Sequence, residues 1–345
     1  MVLSGFLMAY TMTERADREP PEQWTTCLKF YIRRLFRIAP VYYAVLAVAV
    51  ITAPYFLDGY ARLENLHPEA WQPGGTYDPH RIDYSGVNLL LHLSFLFGLH
   101  PDYSFSTMLP DWSLSLEVQF YAVFPLILVA SRRFGILSTA AVLWLASRAS
   151  VKLYSVLVGN GTIEASPELS LLILKLPIFL IGLLLFEFAT NKKKPVRVIA
   201  LLLGLSISLY ENRLYGSQWF ILFVCVAIMA YLLMPETTGR TDAGILRRFL
   251  DNRVTFFMSE VAYSVYLIQG LALSFVGALI AEWSAARFGS DRLVTFFAVL
   301  TTVTFVTYSL SWLSFKAIEG PGIKLGKQIA AQKIAQCGGA DEVIE

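Results

Sequence analysis

Stretches of about 20 mainly apolar residues, long enough to cross a hydrocarbon core roughly 30 Å thick, recur along nearly the whole chain. A soluble core does not absorb so many of them. Apolar residues make up 56% of the 345 positions and charged residues only 16%, outside ordinary soluble usage. The sequence therefore predicts an all-α, polytopic integral-membrane helical bundle with the lipid bilayer as its first partner.

The apolar runs place spans at 38–57, 113–131, 135–157, 169–190, 196–211, 217–235, 256–282 and 293–315. Two further apolar segments do not fit the scheme cleanly. "VNLLLHLSFLFGLH", 87–100, is short and suits a re-entrant or interfacial helix at least as well as a full span. "MVLSGFLMAYTM", 1–12, gives about 18 Å of helix at roughly 1.5 Å per residue and reads as the back half of a span. The expectation is about nine spans plus one short re-entrant or interfacial helix.

Basic residues orient the scheme. Lys29, Arg33, Arg34 and Arg37 precede the 38–57 span, and Arg132 and Arg133 follow 113–131. Further clusters lie at Lys192 to Lys194 with Arg197, at Arg240, Arg247, Arg248 and Arg253, and at Lys316, Lys324, Lys327 and Lys333. From 132 onward two spans separate each pair of clusters, so all can face the cytoplasm. Parity extends back to Arg33 only if 87–100 does not cross. The loop 58–86, with His67, Trp71, Gly74, Gly75 and His80, then faces outward. The reading divides the chain into a transmembrane domain, 1–326, and a cytoplasmic tail, 327–345.

Several function classes find no support. Cys27, Cys225 and Cys337 are far apart and lack metal-ligand spacing, so no metal site is expected. There is no Gly-rich phosphate loop, dinucleotide fingerprint, HExxH or GxSxG elbow, and no nucleic-acid partner is expected. None of the four histidines has a partner at ligand or triad spacing, which favours structural or solvated roles for His67, His80, His92 and His100.

Chemistry is therefore sought among charges in or beside spans, which are costly there and are functional candidates by default. In "DWSLSLEVQFYAVFPLILVA", Ser113, Glu117 and Tyr121 are four residues apart on one helical face, which sets a carboxylate between two hydroxyls. This trio could orient a base or bind a hydroxyl substrate. Equally, Asp111 or Ser113 could be an N-cap with Glu117 beside the positive end of the helix dipole. In "KFYIRRLFRIAPVYY", Lys29, Arg33 and Arg37 fall at i, i+4 and i+8, with Arg34 three residues before Arg37. Guanidinium forks suit a phosphorylated or nucleotide-bearing ligand, and the same cluster could equally be a topogenic or headgroup anchor. In "SEVAYSVYLIQG", Glu260, Tyr263, Tyr266 and Gln269 form a drifting polar stripe expected to face the bundle interior. Arg148, Lys152, Lys175 and Glu187 read as internally paired or reaching to the interface.

"SGFLM", "FYIRRLFRIAPVYY", "WSLSLEVQFYAVFPLIL", "AYSVYLIQ" and "IEGPG" occur here in the order expected of the acyltransferase 3 family, and the chain resembles it over almost its whole length. The resemblance implies a membrane-bound O-acyltransferase of the cell membrane, with the bacterial inner membrane the expected one. It would take an acyl group, typically acetyl from acetyl-CoA or another acyl-CoA, and deliver it to a hydroxyl of a cell-surface or exported glycan. It implies that no cofactor is bound. It puts the family's Arg-x-x-Arg signature on Arg34 and Arg37, beside Arg33, as donor-phosphate contacts, and its acidic motif position on Glu117 as a pocket residue. Oligomeric state, acceptor and acyl length stay open.

The chain departs from the family pattern in two places. Members usually carry an Arg and a His on a helix upstream of Ser-Gly-Phe-Leu, the His being the expected general base. Here Met1 stands three residues before that motif, so an upstream helix is expected in the functional protein, with little or no activity without it. If the base lies among the residues present, Glu117 is the first candidate and His92 the second. The Tyr-Ser-x-Tyr-Leu motif, commonly followed by His, is followed by Ile268 and Gln269. Two other readings stand beside the enzyme: a transporter or flippase, disfavoured by the lack of two repeated halves, and a catalytically inactive relative that assists glycan export.

Overall fold

The computed structural model describes residues 1–66, 82–161, 170–215, 218–233, 250–289 and 291–341, with side chains described except at 212–215, 218–221 and 333–341. His67, Trp71, Gly74, Gly75, His80, Arg240, Arg247 and Arg248 lie outside the described residues, as does the Lys333 side chain. All regular structure among the described residues is helical. In chain order the helices are α1 (Val2–Glu14), α2 (Trp24–Ile51), α3 (Ala53–Leu66), α4 (Gly86–Leu93), α5 (Trp112–Phe134), α6 (Ile136–Gly159), α7 (Leu172–Thr190), α8 (Lys194–Tyr215) and α9 (Gln218–Leu232). Then α10 (Arg253–Ala272) runs through a π-turn, Leu273–Gly277, into α11 (Ala278–Phe288), and α12 (Arg292–Ser314) through a second, Phe315–Glu319, into α13 (Gly320–Asp341).

Six helical stretches among the described residues are long and apolar enough to cross a membrane: Trp24–Ile51, Trp112–Phe134, Ile136–Gly159, Leu172–Thr190, Arg253–Phe288 and Arg292–Gln332. Their outer faces carry bare apolar side chains such as Leu126, Val142, Phe296 and Phe305. A surface of this kind is a liability in water and matches lipid. Three expectations need adjustment. The 38–57 span is part of a longer helix that starts at Trp24 and ends at Ile51, so the arginines sit on the span's own helix. The 58–86 loop begins as helix, because α3 continues to Leu66. The segments 196–211 and 217–235 form α8 and α9, yet neither is among the six; the described apolar part of α9, Leu222–Leu232, is too short. As expected, 87–100 does not make a full span: α4 has eight residues, about 12 Å of helix.

The chain forms two compact units, Met1–Leu28 with Leu116–Thr255, and Lys29–Ser115 with Phe256–Glu345. In the first, α7 is the hub. It is apolar all round, as a helix enclosed by neighbours must be, and Phe179 to Phe186 are buried without a break. Its Gly182 meets Gly5 of α1: a Cβ on Gly5 would lie 2.2 Å from Phe179 O, and one on Gly182 2.1 Å from Val2 O. Backbones approach this closely only where side chains are absent, the small-residue device of membrane helices. Phe120 of α5 stacks on Phe179 with centroids 4.2 Å apart.

The second unit contains the rest of α2, with α3, α4, the start of α5 and α10 to α13. Here α13 lies against α2 through another glycine pair one turn apart. A Cβ on Gly322 would be 2.9 Å from Phe36 O, and one on Gly326 2.5 Å from Phe36 Cβ.

Candidate functional site

In the first unit the Glu117 carboxylate is held at both oxygens. Ser4 Oγ donates to Oε1 at 2.7 Å, and Tyr121 Oη donates to Oε2 at 3.0 Å. Tyr121 comes from the next turn of the same helix, as i and i+4 geometry requires. Ser4 comes from α1, set beside α5 by the Gly5–Gly182 approach. The carboxylate thus sits between two hydroxyls, as the four-residue spacing suggested, but one of them belongs to Ser4 and not to Ser113. Both carboxylate oxygens accept from side-chain hydroxyls. Gln119, two residues on, anchors α7: its Nε2 donates to Ser170 O and its Oε1 accepts from Leu172 N, both at 2.8 Å.

Ser113 belongs to the second unit, where its Oγ is 2.7 Å from Tyr266 Oη. Tyr266 also donates to Pro110 O. Tyr263 Oη donates to Ile38 O at 3.0 Å. The stripe expected on α10 is thus interior only in its middle, since Glu260 and Gln269 are exposed. A spacing of three advances about 300° per step, so four such residues sweep roughly half the circumference.

The cationic face of α2 is graded. Lys29 is buried, Arg33 and Arg34 are half-buried and Arg37 is exposed, with the Arg34 guanidinium 5.7 Å from the Phe30 ring centroid.

Sequence spacing missed a buried polar cluster in the second unit. His92 and Asp111 are 0% and 1% exposed, with Nε2 3.6 Å from Oδ2. That oxygen accepts from Tyr42 Oη at 2.9 Å and from Thr107 Oγ1 at 3.0 Å. His92 Nδ1 is 2.9 Å from Asn88 O, and a carbonyl only accepts, so Nδ1 carries a proton. The ring lies flat on Phe97, centroids 4.1 Å apart. Ser106 Oγ donates to Asn88 Oδ1 at 2.9 Å. Burial pushes the Asp111 carboxyl above the ordinary aspartate range, opposed by His92 and by the Tyr42 and Thr107 hydroxyls. Burial, with Asp111 nearby, also pushes the Tyr84 phenol up. His92 has no partner at ligand or triad spacing; the carboxylate beside it, Asp111, comes from farther along the chain, where no spacing rule looks. A structural role still fits a ring so enclosed.

The other charges in or near spans are paired or exposed. Arg148 Nη1 donates to Glu211 Oε2 at 3.2 Å and its Nη2 to Leu174 O at 3.3 Å. Glu187 accepts from Asn191 Nδ2 at 2.7 Å, and Lys152 is exposed.

Among the described residues, an all-helical architecture with six membrane-length helices, a hydroxyl-bracketed carboxylate and an arginine-bearing span defines an integral-membrane protein whose ionisable groups need a chemical account. A family model described as an acyltransferase domain matches residues 1–315, and the chain belongs to that family, acyltransferase 3. No curated protein and no solved structure shows a significant match. Membership makes the protein a membrane acyltransferase by family. The residues that converge here, Ser4 with Glu117 and Tyr42 with Asp111, all lie in the family-matched region.

Proposed function

We propose that the protein transfers an acyl group, acetyl in the simplest case, from acyl-CoA to a hydroxyl of a cell-surface or exported polysaccharide, and that it does so in the cell membrane, the bacterial inner membrane being the one that the family resemblance implies. The observation that carries this is the Glu117 carboxylate bracketed by Ser4 and Tyr121 within a family-matched chain.

In this reading the acceptor oxygen attacks the thioester carbonyl. A carbon–oxygen bond forms, the carbon–sulfur bond breaks, and the proton leaving the hydroxyl ends on the coenzyme thiolate. Glu117 positions or deprotonates the hydroxyl, and its two fixed donors keep the carboxylate oriented for that task. Arg34 and Arg37, with Arg33 beside them, hold the donor's phosphates through paired N–H donors. The clustering of basic residues at alternate loops supports a cytoplasmic docking step.

The test is incubation of the detergent-purified protein with radiolabelled acetyl-CoA and host surface glycan. Label in an alkali-labile ester on the glycan is the expected result. If no acyl-CoA yields ester or free coenzyme while the folded protein changes glycan or lipid distribution across vesicles, the transporter reading replaces this one. If it does neither, the inactive-relative reading does.

A further inference from the structure

The contact between α13 and α2 fixes their relative direction and level. A Cβ on Gly322 would lie 2.9 Å from Phe36 O and 3.1 Å from Pro40 Cγ, and one on Gly326 2.5 Å from Phe36 Cβ and 3.5 Å from Ile32 O. One turn forward on α13 is thus one turn back on α2. The helices are antiparallel, with Gly326 level with Ile32 to Phe36, so Lys327 comes level with Arg33.

The same contact fixes which side each cation takes, because every residue advances about 100° around its helix. Measured forward along the chain from the contact, Arg33 and Arg37 lie about 60° and 100° round α2, and Lys327 about 120° round α13. Right-handed helices that run in opposite directions turn in opposite senses when seen from one end. These displacements therefore lead to one flank of the pair. The construction also points Lys29 at α13, where it is buried, and Lys324 about 180° away from α2. Arg37, Lys324 and Lys327 are exposed and Arg33 is half-buried. Neither helix offers a counter-charge of its own: α2 has no carboxylate, and α13 has none before Asp341.

We propose that Lys327 is a further binding residue for the acyl donor, and that with Arg33 and Arg37 it forms a two-helix cationic flank for the donor's phosphates. This rests on the reading of the α2 arginines as donor-phosphate contacts, and extends it to a residue beyond the family-matched segment. Like charges held on one flank repel unless an anion lies between them. The glycine pair holds them there. Coenzyme A has a diphosphate and a separate ribose phosphate, and so presents negative charge at two places, which suits cations on two helices. The guanidinium groups grip as forks and the ammonium as a point charge.

The experiment measures equilibrium binding of acetyl-CoA, donor KM and melting temperature for the full chain in detergent, in Lys327→Ala, Lys327→Arg, Lys324→Ala, Arg34→Lys and Arg37→Lys. Lys327→Ala is expected to raise donor Kd and KM about tenfold, as for the loss of one contact to a charged group. Its melting temperature should not move, since the side chain is exposed. Lys327→Arg keeps the charge and should stay within about threefold of wild type. Lys324→Ala removes the same charge from the far face of the same helix and should bind as wild type. A wild-type Kd in Lys327→Ala overturns the proposal, and so does an equal loss in Lys324→Ala, which marks a general effect of charge. Loss confined to binding of phosphatidylglycerol vesicles gives the flank to a lipid headgroup and overturns it too. The two arginine variants separate this proposal from the reading beneath it. If both bind acetyl-CoA as wild type does, or if wild type binds none, the donor reading fails and takes the proposal with it; if both are weakened while Lys327→Ala is not, the proposal alone fails.

Discussion

Ser4 and Glu117, 113 positions apart, are joined by a 2.7 Å hydrogen bond in which the serine hydroxyl donates to the carboxylate. The bond links the Ser-Gly-Phe-Leu and Trp-Ser-Leu-Ser-x-Glu motifs, which the sequence shows only as separate strings. If Glu117 positions or activates the acceptor hydroxyl, Glu117→Gln should lower kcat by about 10²–10⁴, the span of a general-base contribution. Stability should change little, because Gln still accepts a hydrogen bond. Ser4→Ala should lower activity less and cost about 0.5–1.5 kcal/mol of stability. Transfer assays beside thermal melts decide it; a Glu117→Gln protein of wild-type rate and lowered melting temperature would return the residue to a structural role.

Lysine in place of Arg34 or Arg37 preserves charge, and so orientation in the membrane, but loses the paired N–H geometry. Donor KM should rise by about tenfold, as for the loss of one hydrogen bond to a charged group, with insertion unchanged. A donor titration with each variant checks this, and wild-type titrations for both would leave the cluster with an orienting role alone.

Gly5 and Gly182 are predicted to be intolerant of even a methyl. Alanine at Gly5 would place Cβ 2.2 Å from Phe179 O, and overpacking of this sort costs about 1–3 kcal/mol. Because α1 must then move off α7, Ser4 should lose Glu117 as well. Gly5→Ala is therefore expected to melt lower and, in whatever fraction folds, to resemble Ser4→Ala in rate. A Gly5→Ala protein of undiminished melting temperature would show that the helices do not meet as described.

The Asp111 carboxyl gives a pH dependence with a definite sign. Burial raises its folded value above the unfolded one, so the folded state holds a proton that the unfolded state has released. The associated stability is present at low pH and is lost as pH rises from about 4, the ordinary aspartate value, through the raised one. Asp111→Asn, which cannot titrate, should flatten that part of the stability profile. Melting temperatures of both proteins across this window provide the check, and parallel curves would refute it.

How much of the fold and site is legible in the sequence depends on how local each cause is. Hydropathy and run length are local, so the bundle and most span positions can be read directly. The Glu117–Tyr121 pair is legible because one helical turn separates the two residues. The second hydroxyl on Glu117 is not legible, because the same spacing rule cannot tell which hydroxyl a distant helix will supply: Ser4 takes the place expected of Ser113, whose Oγ lies by Tyr266. His92 and Asp111 are invisible as a pair for the same reason, as is Tyr42, which reaches Asp111 from 69 positions away. Glu319 stands in a recognised motif, but the hydrogen bond it accepts from Ser264, 55 positions away, is one that no window of sequence reports.

The π-turn at Phe315–Glu319 sets a phase as well as a contact. A π-turn holds one residue more than the α-helical turn it replaces, so every position after it is rotated by about 100° relative to an uninterrupted helix. The last helix therefore keeps its glycine face toward α2 only while the residue count between Ser314 and Gly322 is unchanged. Deleting a single residue there would leave all the chemistry of the segment in place and turn it to face elsewhere, so this stretch should tolerate changes of side chain far better than changes of length.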